Sequence, residues 1–115
     1  MNVEFYKRPD ETEPAKEFID SLDLKMQAKL AMEIQLLEDF GVQLRLPYSE
    51  HLEDGIFELR AKVSTNISRV LYFFYVGNTA ILTNGFMKKS QQTPREEIEK
   101  AKRYREDYLK RKERS

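Results

Sequence analysis

The spacing of apolar and polar residues changes several times along this chain, and each change marks an element. Val3-Glu4-Phe5-Tyr6 alternates as a short strand does, and Pro9-Asp10 ends it. Helical spacing follows. Pro14 suits a first helical position, where a missing N–H costs nothing, and Ala15, Phe18, Ile19 and Leu22 recur at intervals of three and four. Asp23 can cap a second, longer helix with the stripe Met26, Leu30, Ile34 and Leu37, and Gly41 stands where a left-handed residue would end it. These two helices are expected to form a hairpin. Residues 42–54 are mixed in pattern and contain Pro47, which predicts a loop.

The period then becomes two. In Ile56–Val63, Phe57, Leu59, Ala61 and Val63 share one face, expected to be core, while Ile56, Glu58, Arg60 and Lys62 share a mostly charged one. Ile67–Val76 is rich in β-branched and aromatic residues, Gly77-Asn78 reads as a two-residue hairpin turn, and Thr79–Met87 is the return strand. Short turns make these three strands an antiparallel meander, with the helical hairpin covering its apolar face. A last helix starts at Thr93-Pro94-Arg95-Glu96, read as a capping box with Thr93 as N-cap, and carries the stripe Ile98, Ala101, Tyr104, Tyr108 and Leu109. The expected architecture is α+β: an N-terminal strand and helical hairpin on a β-meander, then a C-terminal helix.

Composition narrows the class. At 115 residues, 40% hydrophobic and 35% charged, the chain fits one globular domain spanning residues 1–115. It has no cysteine, so disulfides, thiolate metal sites and a thiol nucleophile are excluded. The opening MNVEFYKRPDE lacks an apolar signal region and no stretch is long enough for a membrane span, which predicts a cytoplasmic protein without membrane partners. The zero formal charge is uneven: residues 1–85 hold 9 Lys/Arg against 14 Asp/Glu, while residues 86–115 hold 11 against 6. One basic face could therefore meet a polyanion.

The usual metal and nucleophile patterns are missing. With one histidine, His51, and no phosphate loop or GxSxG elbow, any chemistry runs on lysine, arginine, tyrosine or carboxylate, without a metal or cofactor. The meander brings Glu58, Arg60, Arg69, Lys88 and Lys89 side by side. Clustered cations suit a phosphodiester, because arginine offers a planar fork to phosphate oxygens and a crowded lysine has its pKa pushed down. The plainer reading makes Glu58/Arg60 a cross-strand charge ladder and Lys88-Lys89 a guarded strand edge. Arg69, inside an apolar run, needs either a function or an ion pair. His51 reads as a solvated loop residue or an acid/base group. Tyr104 and Tyr108 read as core residues or a base-stacking platform, and Lys100, Lys102, Arg103 and Arg105 as a solvated face.

Three segments in order, LEDGIFELR (Leu52–Arg60), SRVLYFF (Ser68–Phe74) and GFMKKSQQTPREEIEKAKRY (Gly85–Tyr104), resemble the HigB branch of the RelE toxin superfamily, which includes phage-derived toxin-like proteins. The likeness runs from the first strand through the last helix. It is strongest at Gly-x-x-Glu-x-Arg and Gly-Phe-x-Lys-Lys-x-x-x-Thr-Pro. It implies a fold related to microbial ribonucleases and the toxin of a type II toxin–antitoxin module, a ribosome-dependent endoribonuclease that cuts mRNA in the A site by metal-free 2′-hydroxyl attack. On matching positions it assigns Arg60, Arg69, Lys88 and Lys89 to phosphate binding and proton transfer. It also implies a helix-turn-helix antitoxin as partner, with operator DNA bound only by the complex. Many relatives carry His-Gly-Phe where this chain has Asn84-Gly85-Phe86, so a proton-transfer role for that histidine is absent here or filled by another group. Two other activities suit such a chain: a toxin of the same fold acting on DNA gyrase, and a degenerate protein kept for binding.

Overall fold

The computed structural model describes residues 1–115. Its elements are β1 (Asn2–Phe5), α1 (Pro14–Asp20), α2 (Leu24–Phe40), a 3-10 turn (Gly41–Gln43), β2 (Ser49–Glu53), β3 (Ile56–Val63), β4 (Asn66–Tyr75), β5 (Thr79–Met87) and α3 (Arg95–Glu113). The five strands form one sheet in the order β1-β5-β4-β3-β2, with β1 parallel to β5 and every other pair antiparallel. This is the expected α+β class. No helix is long and apolar enough to cross a membrane.

The helices starting at Pro14 and after Asp23 form as their sequence signals direct. Pro14 occupies the first turn of α1, and the Asp23 side chain accepts the Met26 N–H at 2.9 Å. Gly41 ends α2 with φ 55° and sits against the Met1 side chain. The buried face of α2 is Met26, Leu30, Glu33 and Leu37, so Glu33 takes the central seat expected for Ile34, which is only half-buried. Met26, Leu30 and Leu37 join Leu59, Ala61, Val70, Tyr72, Ala80 and Leu82 in the main core. Full burial of each Leu-sized side chain contributes roughly 1.5–3 kcal/mol.

Three expectations are corrected. The stretch 42–54 is not all loop, because Ser49–Glu53 pairs with β3 as a fourth antiparallel strand. The turn joining them is Asp54-Gly55, with both φ angles positive, a backbone that suits Asp-Gly in a tight hairpin. The turn between β4 and β5 has three residues rather than two, since Tyr75 pairs with Thr79 and Val76 joins Gly77 in the left-handed region. Finally, the second sheet face is not a solvated charged surface. Tyr6, Ile56, Leu71, Phe73 and Ile81 pack there against Ala101 and Tyr108 of α3, giving a second core. Every residue from Ser68 to Phe73 is consequently buried.

The α3 helix is held by charge as well as by this core. Lys102 and Arg95 both reach the Glu53 carboxylate, and Arg105 donates to the Asp54 side chain at 2.9 Å. The Arg95 and Lys102 hydrogen bonds hold the Glu53 carboxyl down at about 2. Two of the cations read as a solvated face, Lys102 and Arg105, therefore join Arg95 in clamping α3 to the β2–β3 turn. Tyr104 and Tyr108 belong to the packing: Tyr6 stacks on Tyr104 with centroids 4.7 Å apart, Arg8 donates to the Tyr104 hydroxyl, and the Tyr108 hydroxyl bonds Glu4. Leu109 points outward, exposed, and is not in the stripe.

Candidate nucleic-acid interface

Strand pairing sets which side chains meet. Arg60 and Arg69 are register partners on β3 and β4, so both share the α3 face with Ile56, Glu58 and Leu71. Their other neighbour depends on β5. Its pairing with β4 shifts at Thr83, where Leu71 faces Asn84 but Tyr72 faces Leu82. The Thr83 hydroxyl donates to the Leu71 carbonyl and fills the bulge. A one-residue slip turns every later side chain over. The bulge thus places Gly85 opposite Val70 and under Phe18 of α1, while Asn84 and Phe86 face α3. The pairing continues past the strand end through Lys88 N–H to the Ile67 carbonyl, 2.8 Å, which brings Lys88 beside the arginines.

The four residues assigned to phosphate binding line one open depression of about 540 Å³: Arg60, Arg69, Lys88 and Lys89, with Ile67, Ser90 and Gln91. It shares Arg60, Lys88 and Gln91 with a second depression of about 490 Å³ that runs along Glu50, Glu58, Gln92 and Thr93 towards Arg95 and Ile98. Neither lysine of the pair forms an ion pair with a carboxylate, whereas Arg95, Lys102 and Arg105 on α3 all do. Within the depression the positive charge not already paired with a carboxylate is therefore that of Lys88 and Lys89, while Arg60 and Arg69 are held by Glu50 and Glu58.

Glu58 organises the floor. It is 1% exposed. Its Oε1 accepts from Thr93 Oγ1 at 2.7 Å; its Oε2 accepts from Arg60 Nη1 at 3.2 Å and lies 3.5 Å from Arg69 Nε. Arg69 is 5% exposed, and its Nη1 donates to the Ser68 carbonyl at 3.0 Å. A charge this deeply placed requires the Glu58 counter-ion. Burial, and then the nearby Arg60 charge, pulls Arg69 below the ordinary arginine value against the opposing pull of Glu58. The same two kinds of cause, burial first and then the Arg69 charge, hold Lys88 below the ordinary lysine value. Arg60 also bonds Glu50, an exposed carboxylate on the strand that the sequence pattern did not predict.

Other expected residues take different roles. His51 accepts the Gly55 N–H on Nε2 at 3.2 Å, packs edge-on against Phe57, and lines the second depression at its β2 side. Its place is beside the β2–β3 turn. Thr93 is not the N-cap, because α3 begins at Arg95 after Pro94 and the Thr93 hydroxyl is turned to Glu58 instead. Asn84 is buried and donates to the Glu97 carbonyl and side chain at 3.2 and 3.0 Å, so it ties down the first turn of α3 rather than facing the depression. No group of three His, Cys, Asp or Glu side chains converges as a metal site would require.

The family model described as "Phage derived protein Gp49-like (DUF891)" matches residues 17–106, which include β2 through most of α3 and all four cations. No curated protein matches the chain.

Proposed function

We propose that this chain, which belongs to the Gp49-like family of phage-derived proteins, is a toxin-like endoribonuclease that cleaves mRNA on the ribosome. The observation that carries the reading is the convergence of Arg60, Arg69, Lys88 and Lys89 on one open depression. Planar guanidinium forks and point-charge ammonium groups together suit a phosphodiester, and they favour most the dianionic phosphorane that forms when a 2′-oxygen attacks phosphorus. In that reaction the 2′-oxygen–phosphorus bond forms as the 5′-oxygen–phosphorus bond breaks. A base takes the 2′-hydroxyl proton, and an acid supplies one to the departing 5′-oxygen. Lys88, with its lowered pKa, suits proton transfer, while Glu58 is engaged by both arginines and suits it poorly.

The chain's zero net charge fits action at a surface presented by the ribosome better than tight binding to free RNA, since non-specific affinity grows with the number of phosphate contacts. Neutralisation is assigned to a cognate helix-turn-helix antitoxin that covers or distorts the cationic depression, and operator DNA is bound by the complex. Expression of this chain alone should arrest translation, and co-expression of the adjacent gene product should relieve it. Growth unaffected by the chain alone would instead support a degenerate binding protein, and DNA damage with intact mRNA would support action on gyrase.

A further inference from the structure

We propose that Glu58 is a positioning residue of the RNA site, which presents the Arg60 and Arg69 guanidiniums to phosphate and anchors the lysine-bearing loop through Thr93. The inference rests on the RNA-binding reading above and goes further by giving opposite roles to the two carboxylates that touch Arg60.

Glu58 is buried on the sheet and meets three separate segments: Arg60 on its own strand, Arg69 on β4, and Thr93 at the end of the loop that follows Lys88-Lys89. A carboxylate with two oxygens so engaged limits how each guanidinium can turn, and a fork held in place loses less entropy when it grips phosphate. Glu50 is different. Its side chain is 44% exposed, it touches Arg60 from the solvent side, and it has no contact with Arg69 or Thr93. It occupies Arg60 where an incoming phosphate would sit.

These roles predict effects of opposite sign, which separates positioning from bulk charge. If only net charge mattered, removing either carboxylate would tighten anion binding. Instead, Glu58→Gln should weaken binding of a short, cleavage-blocked 2′-O-methyl RNA by about tenfold, the worth of a charge-assisted hydrogen bond, whereas Glu50→Gln should tighten it. Fluorescence anisotropy at fixed low salt measures both, and the Arg60 and Arg69 Nε–Hε NMR signals of Glu58→Gln should broaden as the forks are released. Should Glu58→Gln fail to fold, Thr93→Val is expected to weaken binding by about threefold and Thr93→Ser to restore it. Equal or tighter binding by Glu58→Gln, or by Thr93→Val where Glu58→Gln does not fold, would overturn the positioning role while leaving the RNA site standing. Absence of binding by the wild-type chain, both to the free RNA and to the same RNA held on ribosomes, would overturn the RNA site and this role with it.

Discussion

Replacing Glu33 with leucine is expected to stabilise the protein by about 3 kcal/mol more at about pH 8 than at about pH 4. Glu33 lies on the sheet-facing side of α2 with Leu30 and Leu37, is 1% exposed, and neither carboxylate oxygen has a hydrogen-bond partner. Burial raises its pKa from 4.5 to about 7, against the weaker pull of the Lys29 and Arg69 charges. Because the folded value lies above the unfolded one, the stabilising effect of the bound proton is complete below about 4.5 and is lost as pH rises through about 7. Leucine removes the titration and fills the same seat with apolar surface. Glu33→Gln should also flatten the pH dependence but gain less, since a buried amide without partners remains costly. Urea unfolding across this pH range measures the difference. A gap between wild type and Glu33→Leu that stays constant with pH would show that Glu33 does not titrate as a buried acid.

Gly85→Val should destabilise the fold by about 3 kcal/mol, at the upper end of overpacking costs. A Cβ at this position would run into Phe18 Cδ2 and lie 2.9 Å from two more atoms of the ring. The ring belongs to α1, which packs on β5, so the added atoms must displace the ring or push the helix off the sheet. The effect should couple to Phe18: in Gly85→Val/Phe18→Ala the combined loss should be smaller than the sum of the single losses by more than about 1 kcal/mol. Simple additivity in urea unfolding would show that the ring is not what excludes a side chain here. The glycine of the Gly-Phe-x-Lys-Lys motif is explained by its close contact with Phe18, and its loss would reduce activity through stability rather than through chemistry.

Much of this architecture was legible in local patterns. Pro14, the Asp23 cap, Gly41 and the period-two run of β3 each predicted the element that forms, because each reports a backbone requirement met within a few residues. The placing of Arg60 beside Arg69 was legible too, since a short turn brings β3 and β4 into register. What was missed depends on distant partners, with one exception. Asp54-Gly55 is a strong hairpin signal and asked for a strand before it, but Pro47 drew the whole stretch into a loop. The unbroken apolar run Val70–Phe74 signals burial on both faces, yet the charges of β3 suggest an open one. The bulge at Thr83 has no local signature, although it decides that Lys88 joins the arginines and that Asn84 lies under α3. Thr93 satisfied the local pattern of a cap but found a buried carboxylate 35 residues away in sequence. Glu33 occupies a core position that its charge argues against.

Whether the Arg60–Arg69–Lys88–Lys89 depression cuts mRNA on the ribosome is tested most directly by mapping mRNA 5′ ends. The chain is induced alone in cells and, in parallel, the purified protein is added to mRNA with and without ribosomes. New 5′ ends are expected at fixed codon positions; they should require ribosomes, vanish in Arg60→Ala and Lys88→Ala variants that remain folded, and disappear when the adjacent gene product is present. Cuts that persist unchanged in both variants would contradict the site, and intact mRNA under a fully folded wild-type chain would contradict the activity.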